Sequence, residues 1–155
     1  MAHQNDGLSR IGYRRRCGSY LMKEFSEISL IAADWGTSNL RVWSMDHQGN
    51  VINSITNGKG MSSLEPSEFE PHLINLIGSW LPTEANARYP IIICGMAGAK
   101  TGWKEAAYLT APCPPINKEK IVKIETEDQR ISVSIIPGIM QKSPPDVMRG
   151  EETQI

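Results

Sequence analysis

The residues best suited to chemistry are Asp34-Trp35-Gly36-Thr37-Ser38-Asn39-Leu40-Arg41, which follow the apolar run at 28–33. An acid, a glycine and two hydroxyls stand at the end of one strand pattern, and a second strand pattern, 40–45, follows at once. Glycine lets the backbone come close to oxygen atoms, and amides and hydroxyls donate to them. A carboxylate fixed at a strand end suits Mg²⁺, which keeps several of its waters. Asp34, Gly36, Thr37 and Ser38 thus suit nucleotide phosphates and their metal, with Asp34 as the metal residue. No helix pattern follows and no G-x-x-x-x-G-K-[ST] occurs, which excludes a P-loop. The same residue types also build an ordinary polar hairpin turn, and on these residues alone both readings stand.

The elements that must position this turn are legible around it. Residues 28–35, 40–45 and 51–56 read as three strands, with Asp46-His47-Gln48-Gly49-Asn50 as the turn between the second and third. The nearly continuous apolar runs predict strands covered on both faces. A helix follows: Ser67-x-x-Glu70 is a capping-box pattern, and Phe69, Leu73, Leu76, Ile77 and Trp80 form one core stripe that ends at Pro82. Residues 90–94 form a short buried strand entering a glycine-rich turn, where Cys94 reads as packing rather than as a nucleophile. Residues 121–126 and 130–136 predict a hairpin across Glu127-Asp128-Gln129. After Pro137-Gly138, a loop through Pro144-Pro145 leads to a helix start near Gly150.

Three further segments carry a resemblance. They are Gly58-Lys59-Gly60-Met61, Cys94-Gly95-Met96-Ala97-Gly98 running to Gly102-Trp103-Lys104-Glu105-Ala106-Ala107-Tyr108, and Pro144-Pro145-Asp146-Val147-Met148-Arg149-Gly150-Glu151-Glu152-Thr153-Gln154. With the D-x-G-T hairpin they resemble, in order over about residues 28–155, the 2-dehydro-3-deoxygalactonokinase family of the sugar kinase/actin/Hsp70 ATPase superfamily. The last segment is the most specific. The resemblance implies an α/β domain, the first lobe of the actin-like ATPase (ribonuclease H-like) fold, with a mixed sheet and flanking helices. It places the second lobe outside these residues, so that residues 1–155 taken alone are expected to lack kinase activity. Alanine at Ala107 and lysine at Lys100 depart from the family's proline and arginine.

What the family does is then the expectation for the site. ATP with Mg²⁺ would phosphorylate 2-dehydro-3-deoxy-D-galactonate to its 6-phosphate, in galactonate catabolism. Two alternatives remain: a kinase for another 2-keto-3-deoxy sugar acid, or a non-catalytic fragment. The base is expected at Glu151 or Glu152, with Asp146 a third candidate. Arg149, Lys100 and Lys59 are the candidate cations for the substrate carboxylate, arginine having the better bidentate geometry. Gly60 and Gly95 would bring the backbone to the sugar. Trp103 is either an apolar wall beneath the ring or a core residue, and Arg41 either reaches the cleft or is a solvated strand residue.

Composition limits the other classes. The 155 residues amount to one domain of chain, and the formal net charge of −1 argues against a nucleic-acid or anionic-membrane partner. Three cysteines without a C-x-x-C pair fit a reducing cytoplasm, and His3, His47 and His72 lack zinc-ligand spacing. Residues 1–27, with Arg14-Arg15-Arg16 but no apolar signal core, read as a disordered extension. The expected partner is therefore a small sugar acid, with homo-oligomerisation left open.

Overall fold

Isoleucine- and valine-rich runs form the strands of the computed structural model, which describes residues 28–83 and 88–150. In chain order the strands are Leu30–Trp35 (β1), Leu40–Met45 (β2), Val51–Asn57 (β3), Tyr89–Gly95 (β4), Leu109–Thr110 (β5), Val122–Lys123 (β6), Ile131–Ile135 (β7), Ile139–Lys142 (β8) and Pro145–Met148 (β9). One α-helix among the described residues, Phe69–Ile77 (α1), lies between β3 and β4. The expectation for residues 1–27 lies outside the described residues.

Six strands form one mixed sheet in the order β3-β2-β1-β4-β7-β6. The first three are an antiparallel meander, while β4 runs parallel to both β1 and β7. The register Asp34↔Cys94 and Trp35↔Gly95 sets the carboxyl ends of β1 and β4 side by side. Ligands of α/β sheets bind where neighbouring parallel strands end together and the chain leaves them on separate paths. A second, three-stranded sheet has the order β5-β8-β9.

The core lies on one face of the large sheet. Ile31, Ala33, Trp35, Leu40, Val42, Ile91, Ile93, Ile131, Val133 and Ile135 are buried with Phe69, Leu73 and Ile77 of α1. This matches the helical stripe, which continues through a 3₁₀ turn to Trp80. Coverage of both faces is not observed among the described residues. Burial alternates along β1 and β4, leaving Ala32, Trp43, Ile92 and Cys94 half-buried around a cavity of about 370 Å³ on the opposite side. The physical reason is that α1 packs on the Trp35 face alone.

Two further expectations are corrected. The capping box is Glu65 with Glu68, which closes a 3₁₀ turn at Pro66–Glu68 leading into α1. Glu70 is freed for a distant role: its carboxylate accepts from the Glu127 and Asp128 backbone amides at 3.1 and 2.8 Å, tying the helix to the β6–β7 hairpin. Residues 145–148 are not a loop but β9, paired antiparallel with β8 despite the two prolines. Proline is tolerated there because β9 is an edge strand, exposed along its whole length. The anticipated helix start beyond Gly150 lies outside the described residues.

The β6–β7 hairpin is observed, and Asp128 closes its turn by accepting from the Arg130 amide and guanidinium at 2.7–3.2 Å. The Arg130 side-chain hydrogen bonds hold the Asp128 carboxyl below its ordinary value near 3.8. A depressed folded pKa contributes stability that is complete above the unfolded value and is lost as pH falls through the folded one. Asp128→Asn is therefore expected to destabilise the domain at neutral pH, with the gap to the parent closing below pH 3.8. Urea midpoints measured across that range check it; a gap that does not change with pH would contradict it.

Candidate active site

The D-W-G-T turn is held from behind by Gly60 and the 3₁₀ turn Met61–Ser63. The Gly60, Met61 and Ser62 amides donate to the Ser38, Gly36 and Thr37 carbonyls at 3.1, 2.9 and 3.0 Å. Ser62 Oγ adds a second bond to the Thr37 carbonyl at 2.8 Å. Gly36 itself donates to the Asn39 carbonyl at 2.9 Å, closing the hairpin. Three successive carbonyls are thus turned toward Gly60–Ser62. Among the described residues, no backbone hydrogen bond engages the Thr37 and Ser38 amides, and both residues are exposed. An exposed turn whose carbonyls are already engaged, with two amides and two hydroxyls left over, is suited to an anion.

On the other side of Asp34 stands the glycine-rich turn. Gly95 has φ +91°, and a Cβ there would stand 2.6 Å from the Trp35 carbonyl oxygen, so a side chain would part β4 from β1. The chain returns to this point much later: a Cβ on Gly150 would lie 3.3 Å from Gly95 Cα and 3.5 Å from Asp34 Oδ1. Asp34, Gly36, Thr37, Met96, Tyr108, Val147, Arg149 and Gly150 together line a cavity of about 360 Å³. Its floor is the paired strand ends, and its walls are the D-W-G-T turn, Met96, Tyr108, Val147 of β9 and the Arg149-Gly150 exit from that strand.

Arg41 reaches Asp34 from β2, with Nη1 3.9 Å from Oδ2 and its own side chain 55% exposed. At that distance and exposure the pair adds little stability. Arg149, by contrast, is 9% exposed. Its Nη1 donates to the Gly98 carbonyl at 2.7 Å and its Nη2 to the Ala106 carbonyl at 2.9 Å. The guanidinium also lies over the Tyr108 ring, 4.1 Å from its centroid. Arg149 therefore straps the exit of β9 to the loop after β4, and its charge borders the cavity.

Other sequence-predicted residues fall elsewhere. Trp103 stacks on Phe69 at 5.8 Å and 21° and meets Trp35 edge-on at 6.1 Å, so it packs behind the turn, away from the cavity lining. Lys59 and Lys100 are exposed and do not line the cavity. Gly60 lies behind the turn. Asp146 is exposed on β9, where its Oδ1 accepts from the Val147 amide at 2.8 Å. Glu151 and Glu152 lie outside the described residues. Tyr108, Met96 and Val147 were not anticipated as lining residues; the only signal for Tyr108 was its place at the end of the Gly102–Tyr108 motif. Among the described residues no cluster of three or more metal-type ligands occurs, and no helix is long and apolar enough to cross a membrane.

A parallel strand pair that ends in a D-x-G-T hairpin defines an α/β domain of the actin-like ATPase kind, seen here as its first lobe. Residues 34–155 match the family described as 2-keto-3-deoxy-galactonokinase, and the chain belongs to that family. It is 41% identical over 127 residues to DgoK1 of Rhizobium meliloti (strain 1021), named as a probable 2-dehydro-3-deoxygalactonokinase; the match covers 80% of this chain and 40% of that protein. It is 32% identical over 129 residues to 2-dehydro-3-deoxygalactonokinase of Escherichia coli (strain K12), covering 81% and 40%. A crystal structure of a candidate 2-dehydro-3-deoxygalactonokinase from Sinorhizobium meliloti superposes with TM-score 0.67 at 39% identity, covering 81% of this chain and 40% of that one. The chain thus spans 40% of the length of the curated relatives it matches.

The two glycines before Met61 test how the turn is held. A Cβ at Gly60 would stand 2.3–2.4 Å from Thr37 and Ser38 backbone atoms, whereas one at Gly58 meets nothing within 4 Å. Gly60→Ala is expected to cost about 1–3 kcal/mol, the range for forced overpacking. Gly58→Ala should stay within about 0.5 kcal/mol of the parent. Chemical denaturation of both variants checks this, and equal effects would remove the buttress assignment.

Proposed function

We propose that this chain supplies the first phosphate-binding wall of a 2-dehydro-3-deoxygalactonokinase. The enzyme would transfer the γ-phosphoryl group of ATP to the 6-hydroxyl of 2-dehydro-3-deoxy-D-galactonate in galactonate catabolism. The observation that carries this reading is Asp34, held half-buried on the floor of the cavity between the D-W-G-T turn and Gly150. Membership of the family over residues 34–155 supports the substrate class. Three cysteines without a C-x-x-C pair suit a reducing cytoplasm.

Phosphoryl transfer is mainly positioning and charge stabilisation, so the residues divide by where they can hold the reactants. The Thr37 and Ser38 amides and hydroxyls, with Gly36 giving close approach, would receive phosphate oxygens. The residues present fit Mg²⁺: one carboxylate, partly exposed beside an anion-suited turn, is the type of site in which that ion keeps its waters. Asp34 would hold the ion, which when bound supplies charge neutralisation on the phosphates. The attacking 6-hydroxyl would lose its proton to Glu151 or Glu152, with Asp146 in reserve, as its oxygen bonds to the γ-phosphorus and ADP leaves. Arg149 would lend positive potential to the substrate carboxylate, with Lys59 and Lys100 as more peripheral cations. Tyr108 would form the wall beside it.

The test is made in a protein of full family length bearing this sequence. ADP release should depend on 2-dehydro-3-deoxygalactonate, and the product should carry phosphate on its 6-oxygen. Asp34→Ala is expected to lower kcat by at least about 10²-fold, as for loss of a major charge-positioning group, with the fold kept by circular dichroism. Near-parental turnover of that variant at saturating Mg-ATP would overturn the role of Asp34. No sugar-acid dependence at all would overturn the function.

A further inference from the structure

The side chain immediately before Gly36 holds an unexplained pair. The Trp35 indole is fully buried, and its Nε1 has no hydrogen-bond partner; the buried Nε2 of His72 is likewise unpaired. The two rings are neighbours, 6.1 Å between centroids and inclined at 49°. Buried polar atoms are nearly always bonded, because water has been given up on folding and must be replaced. An indole N–H can only donate, and a neutral imidazole nitrogen without a proton can only accept. One orphan donor thus sits beside one orphan that can become its acceptor.

We propose that His72 is a positioning residue for the phosphate-type turn, its neutral Nε2 accepting a hydrogen bond from the Trp35 indole N–H, directly or through one enclosed water. The rings are 6.1 Å apart, and the broad wells of the imidazole's outer torsion make reorientation of that ring inexpensive. Which ring nitrogen carries the proton is set by such partners. Burial, and then the positive charge of Lys59, hold His72 below its ordinary value near 6.5, which favours the neutral acceptor form. Phe69 and Trp103 pack against other parts of the same indole. Contacts of that kind permit sliding in the ring plane, whereas a bond to Nε1 fixes the rotation of the indole. Trp35 joins Asp34 to Gly36, so α1 would set the orientation of the turn through this one side chain. The link itself is independent of what the turn binds; only its consequence for phosphate rests on the function proposed above.

The experiment uses the ligand-free 155-residue chain, so its outcome is separate from any kinase assay. Long-range ¹H–¹⁵N correlation reads the His72 tautomer, and hydrogen exchange reads the Trp35 indole proton. We expect an unprotonated Nε2 and indole exchange slowed at least about tenfold relative to free indole. His72→Phe should lose most of that protection and shift the Gly36 and Thr37 amide resonances. His72→Gln, which keeps an acceptor, should retain much of both. A protonated Nε2 in the parent at neutral pH overturns the proposal. So does unchanged indole exchange in a folded His72→Phe variant. If the phenylalanine variant fails to fold, the parent tautomer and the glutamine variant decide.

Discussion

The parallel pairing of β1 with β4 is the constraint on which the rest of the site depends. It brings Asp34 and Trp35 level with Cys94 and Gly95, although each residue stands sixty positions from its partner in the chain. With both strands ending together, two turns open at one place: the D-W-G-T hairpin on one side and the glycine-rich turn on the other. Neither could be displaced without breaking the ladder, and at Gly95 there is no room for a side chain beside the Trp35 carbonyl. The aromatic cluster of Trp35, Phe69 and Trp103 fixes the buried side of the same strand end. Precision at the cavity floor is therefore inherited from the sheet and the core, not generated by the loops.

Polar ties join segments far apart in sequence, one at the cavity wall through Arg149 and one away from it between the helix and the β6–β7 hairpin. Arg149 reaches the Gly98 and Ala106 carbonyls, and Glu70 reaches the Glu127 and Asp128 amides. A guanidinium as buried as Arg149 costs free energy unless its donors are met, so the backbone geometry it imposes is narrow. The same bonds give the wall a positive charge that solvent screens less than it would an exposed lysine. Arg41, exposed and 3.9 Å from Asp34, is the contrasting case: a cation beside a carboxylate that contributes little to the fold.

Much of this was legible from residue order. The meander, the helical stripe from Phe69 to Trp80, the hairpin around Asp128 and the turn after β1 all follow from local periodicity and turn chemistry, which act between near neighbours. The family was legible from its motifs. Local rules failed where a distant partner competed: Glu70 left the expected capping box for the Glu127 and Asp128 amides, and Glu65 with Glu68 took its place. β9 was hidden because Pro144 and Pro145 signal a break, and only the pairing with β8 overrides that signal.

The sequence by itself determined where residue types suited to an anion stand and which strand pattern precedes them, because those are properties of residue type and of spacing within a few positions. It did not determine the side of the sheet on which each motif residue would stand. Only the tertiary structure decided that Gly60 buttresses the turn from behind, that Trp103 enters the aromatic core, that Arg149 is spent partly on backbone carbonyls, and that Tyr108 and Val147 line the cavity. Such assignments depend on which distant backbone groups need partners once water is excluded, and that is a property of the packed whole rather than of any local segment.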